Sequence, residues 1–118
     1  MNQQINLSGT EFHKEFLVWL TSKAPDAVIG QPTKCCQCPL AIFLTEYAGA
    51  KPCHVWVIRR AYCIAGVFKL LPVWAIVFVS EVDKLARQTI TAEEALALLG
   101  PISATYADRL EEVGSPRS

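Results

Sequence analysis

The sequence predicts a single α+β domain in which helices pack around one small antiparallel β-hairpin. Three observations predict it. Ser8 with Glu11, and Thr91 with Glu94, are capping-box pairs that each open a run of apolar residues at helical spacing. Two runs rich in β-branched and aromatic residues, Cys53–Ile58 and Tyr62–Phe68, flank Arg59-Arg60 as strands flank a turn. With 118 residues, the chain is long enough to bury a core without disulfide staples.

Each element then follows in order. Phe12, Phe16, Trp19 and Leu20 recur on one stripe, which predicts a helix over Gly9–Lys23, ended by Pro25. Ile29-Gly30-Gln31-Pro32 reads as a loop. Pro39 suits the first turn of a second helix, with Leu40, Phe43, Leu44 and Tyr47 as its stripe and Gly49 as its stop. After the hairpin, a third helix is expected from Leu71-Pro72 to about Ala86. A fourth, capped by Thr91, is expected to end at Gly100-Pro101. A fifth is expected over Ser103–Val113, with Tyr106, Ala107, Leu110 and Val113 on one side. The expected order is α-α-β-β-α-α-α, as one domain over 1–113 with a frayed tail over 114–118.

Charge excludes little in total and more in detail. Lys plus Arg is 11 and Asp plus Glu is 11, so net charge is zero and neither nucleic acid nor an anionic membrane is implied. From Tyr47 to Ser80 the charges are Lys51, Arg59, Arg60 and Lys69, a count of +4. From Thr91 to Gly114, Glu93, Glu94, Asp108, Glu111 and Glu112 stand against Arg109, a count of −4. Opposite ends of this kind are able to orient two copies in a homodimer. The start, MNQQINLSGT, has neither a basic n-region nor an apolar h-region, so no signal peptide is expected and the five thiols are expected reduced in a cytoplasmic setting.

Ala61–Ser80 has the length of a membrane span and a single charge. Lys69 and Pro72 fall near its middle and Gly66 weakens any helix there, so it reads as protein core instead. On a helical wheel Leu71, Trp74, Ala75, Phe78, Val79, Val82, Leu85 and Ala86 form a core face. The opposite face ends in Ser80, Glu81, Asp83 and Lys84 but begins with Val73, Ile76 and Val77. Those three are the candidate interface residues, to be covered by a second copy or another protein.

Cys35-Cys36-Gln37-Cys38 admits a zinc reading, with Cys35 and Cys38 completed by Cys53, His54 or Cys63. The second pair lacks tight spacing, so the preferred reading is cysteine as a small apolar residue, with no cofactor. His13 borders a helix stripe, and His54 follows Cys53 on what reads as a strand, where neighbours face opposite ways. There is no glycine-rich phosphate loop, metalloprotease helix or nucleophile elbow, so an enzyme is not expected.

TAEEALALLGPISATYADRLEEVG resembles the helix-turn-helix of excisionase-like regulators. The resemblance implies a recognition helix carrying Ser103, Thr105 and Arg109, which makes DNA binding the alternative function. Cys38-Pro39-Leu40-Ala41, Leu71-Pro-x-Trp74-Ala75-x-x-Phe78-Val79-x-x-Val82-Asp83 and Thr91-Ala-x-Glu-Ala95-Leu96 together resemble small uncharacterised bacterial and phage proteins. That resemblance implies a bacterial or mobile-element source and brings no function with it. The expected function is therefore a non-catalytic protein-interaction module, self-associating or binding another protein.

Overall fold

The computed structural model describes residues 8–113, so the tail expected over 114–118 and the first seven residues lie outside the described residues. α1 (Gly9–Thr21) starts at Ser8, whose hydroxyl accepts from the Glu11 N–H while the Glu11 carboxylate accepts from the Ser8 N–H. Phe12, Phe16 and Leu20 fall at i, i+4 and i+8 and are buried. α2 (Pro39–Ala48) has Pro39 in its first turn and stops at Gly49 in the left-handed region.

The chain then builds a three-stranded antiparallel meander, β2 (Val55–Ile58), β3 (Ala61–Ile64) and β4 (Val67–Leu70), in that spatial order. The expected second strand, Tyr62–Phe68, is in fact two strands. Ala65 and Gly66 take φ of 53° and 80°, the left-handed pair that a two-residue hairpin loop needs. The expected first strand begins at Val55 rather than Cys53, because Cys53 also sits at positive φ.

α3 (Val73–Asp83) follows, three residues shorter at its end than the sequence implies. A second, two-stranded sheet pairs β1 (Val28–Gly30) with β5 (Ile90–Thr91), antiparallel. β1 falls where a loop is expected. Neither strand has enough length to carry a period-2 signal.

The expected stop at Gly100-Pro101 is overturned. α4 (Ala92–Thr105) runs through both residues, and a 3₁₀ turn at Ala107–Arg109 stands where a fifth helix is expected. The core stripe Ala92, Ala95, Leu99, Ile102 continues across the Gly-Pro pair, which lies on the exposed side. Pro101 leaves the Ala97 carbonyl without its helical donor, but Ala97 lies on the exposed side, where solvent can satisfy a carbonyl.

The core gathers around Trp74, fully buried, whose indole N–H donates to the Gly9 carbonyl at 3.2 Å. Phe12 meets Trp74 and Tyr62 edge-on, and Phe16 meets Phe43 and Phe78 edge-on. α3 and α1 pack on α4, while α2 packs on β2. Among the described residues no helix is long and apolar enough to cross a membrane.

Candidate functional site

The meander has two faces, and strand register assigns every side chain to one of them. Val55, Val57, Tyr62 and Ile64 point to the core and are buried. The other face is built from two cross-strand rows, Trp56–Cys63–Phe68 and Ile58–Ala61–Leu70. Neither row holds a charged residue. Trp56, Ile58, Phe68 and Leu70 are 49%, 44%, 61% and 39% exposed, and Cys63 is buried between its row neighbours. At roughly 150 to 250 Å² per aromatic side chain, the two rings alone present on the order of 200 Å². Most soluble monomers expose apolar patches of at most a few hundred Å².

Beside this face lies a cleft of about 670 Å³. Its walls are the Thr33–Cys38 loop, the end of β2 with its turn, and the outer side of α3. Hydrogen bonds tie the loop to both of the other walls. The Thr33 N–H donates to the Asp83 carboxylate at 2.9 Å, and the Val57 N–H donates to the Cys35 carbonyl at 2.8 Å. Thr33 itself takes a φ of 66°, unusual for a threonine. Ile58 belongs to both surfaces, joining the sheet face to the cleft.

The residues expected from sequence fall as follows. Val73, Ile76 and Val77 are each half-buried, and Ile76 and Val77 pack against this chain's own core. Ile76 also lines the cleft. The sheet face therefore exposes more apolar surface than the helix face the sequence singles out. A signal for it is present: in Val55-Trp56-Val57-Ile58 both period-2 phases are apolar, so both faces of the strand are apolar and one core covers only one of them.

The cysteines do not converge. Cys38 is buried as the residue capping α2, and burial pushes its thiol up to about 11. Cys36 shares a hydrogen bond with Cys53, which, with burial, pushes its thiol up to about 11. Thiols shifted in that direction stay protonated at neutral pH and are poor nucleophiles and ligands. Cys35 lines the cleft, whereas Cys63 lies in the middle strand of the sheet. Among the described residues no three His, Cys, Asp or Glu side chains form a group suited to a metal ion, so Cys35, Cys38, Cys53 and Cys63 are not one site. His54 is exposed in the turn before β2.

Ser103, Thr105 and Arg109 do not share a recognition helix. Ser103 is in α4 and turned inward, its hydroxyl 2.9 Å from the Leu99 carbonyl and 2.6 Å from His13 Nε2. Thr105 ends the same helix, and Arg109 lies in the 3₁₀ turn, paired with Glu112 at 3.1 Å. No protein-family model, curated protein or solved structure matches the chain.

Proposed function

We propose that this chain is a non-catalytic interaction module that associates with a second copy of itself through the outer face of the meander. The observation that carries this is the uncharged double row, Trp56–Cys63–Phe68 and Ile58–Ala61–Leu70, left uncovered by the chain's own core. Two such faces meet without opposing like charges, and sheets packed face to face are a common core architecture. A two-fold axis brings the same patch from both copies together. Net charge is zero, so two copies have no long-range repulsion to overcome.

A standard interface buries about 800 Å² per partner, roughly an eighth of this chain's 6763 Å² surface. The contact therefore extends past the strands onto the flanking turns. Aromatic anchors at the centre of such a patch carry most of the affinity, which places Trp56 and Phe68 first.

The test is Trp56→Glu with Phe68→Glu, followed by light scattering and circular dichroism. The parent is expected to be dimeric, and the double variant folded and monomeric. A parent that stays monomeric at high concentration, or a variant that still assembles, overturns the proposal. Ile76→Glu with Val77→Lys serves as the contrasting pair. Because both side chains pack on the core, this pair is expected to lose thermal stability first.

A further inference from the structure

The cleft beside the sheet carries a charge pattern that self-association does not use. Lys34, Arg59, Arg60 and Lys84 line it, against a single carboxylate, Asp83. That carboxylate is already engaged by the Thr33 N–H. Lys84 pairs with Glu81 on the helix rim at 3.1 Å, while Lys34 and Arg59 make no ion pair among the described residues. Two cations from two different walls thus face one hollow with no counter-charge of their own. Between them, Ile58, Ile76 and Val79 supply an apolar lining.

A concave surface whose lining carries an excess of one sign of charge, here four cations to one carboxylate, focuses its field and concentrates ions of the other sign. A cleft of about 670 Å³ has the size of ordinary small-molecule sites, which combine an apolar lining with a few placed polar groups. Arginine and lysine on two adjoining walls suit a phosphate or carboxylate head. We infer that this cleft binds a small amphipathic anion, its head between Lys34 and Arg59 and its apolar part against Ile76 and Val79.

The inference does not rest on dimer formation, although Ile58 and the Arg59-Arg60 turn border both surfaces, and the two are tested separately. Titrations of the full chain with octyl phosphate, octanoate and octyl glucoside, each below its micelle concentration, are followed through backbone amide NMR shifts. Both anions are expected to bind saturably and to move Thr33, Lys34, Arg59, Ser80 and Asp83. Octyl glucoside, with the same tail and no charge, is expected to bind at least tenfold more weakly. Either ranking of the two anions supports the site and sets its preference for head-group charge. Lys34→Glu with Arg59→Glu, both at exposed positions, is expected to weaken anion binding at least tenfold. Arg59→Gln with rising salt repeats the test should the charge reversal fail to fold. Equal binding of octyl glucoside, shifts confined to Trp56 and Phe68, or affinity unchanged in both variants would overturn the inference. Light scattering on the same samples reads assembly separately.

Discussion

At the scale of single residues, Gly9 shows how one close approach fixes an identity. A Cβ there would stand 1.7 Å from the Leu110 carbonyl oxygen, a backbone atom that no rotamer change moves aside. Gly9→Ala is expected to destabilise the fold by about 1 to 3 kcal/mol, in the range of overpacking changes, read as a fall in the denaturation midpoint. Titrating groups set the pH window in the same local way. Burial lowers the His13 pKa from its ordinary 6.5, so the folded state binds that proton less tightly than the unfolded chain. Its contribution is therefore present above pH 6.5 and lost as pH falls through the folded value. Cys38 runs the other way. Its thiol is pushed from 9.0 to about 11 by burial, so its contribution is present below pH 9 and lost as pH rises toward 11. Denaturant midpoints across pH are expected to plateau between about 6.5 and 9. His13→Gln should reduce the loss of stability below pH 6.5, and Cys38→Ala should reduce the alkaline loss, to which Cys36 also contributes.

At the scale of elements, α4 is the instructive case. Gly100-Pro101 is the strongest local stop signal in the chain, yet the helix continues through it. Burial explains why. Leu99 and Ile102, on either side of the pair, are both core residues, and ending the helix at Gly100 would pull Ile102 out of the core. That burial is worth roughly 1.5 to 3 kcal/mol, comparable to the roughly 3 kcal/mol cost of an interior proline. Ser103 adds its bonds to Leu99 and His13. Gly100 itself has open space where a Cβ would sit and no positive φ. Gly100→Ala is therefore expected to stabilise the protein by about 0.5 to 1 kcal/mol, opposite in sign to Gly9→Ala. The meander makes the converse point. Two residues at positive φ, Ala65 and Gly66, divide what reads as one seven-residue run into two strands, and so create the edge strand that carries Phe68 and Leu70.

At the scale of the whole molecule, charge is segregated rather than absent. The basic residues of the 47–80 stretch lie on and around the meander, and the acidic residues of the 91–114 stretch lie on α4 and the turns after it. The element resembling a recognition helix is thus on the acidic side, with Arg109 already paired to Glu112. Duplex DNA is expected to show no mobility shift even at low salt, since affinity for phosphate depends on cations that displace counterions, and this element offers only the paired Arg109. Micromolar binding abolished by Arg109→Ala would restore the DNA-binding reading.

How much was legible in the sequence depends on how far apart the deciding atoms lie. Amino-acid order by itself determined the capping boxes at Ser8 and Thr91, the Pro39 start and Gly49 stop of α2, and the core stripe of α1. Each is settled within a turn or two of chain, by hydrogen bonds and φ preferences that neighbouring residues impose. It also located an apolar surplus in the middle of the chain, though on α3 rather than on the sheet. Tertiary structure alone decided that α4 outruns its stop signal, that β1 and β5 pair across about sixty residues of sequence, and that the meander has one face uncovered. The cleft too is a tertiary product, since Lys34, Arg59 and Ile76 come from three separate segments. The reason is common to all of these: a side chain's exposure depends on what packs over it, and local spacing shows which residues share a face but not what covers that face.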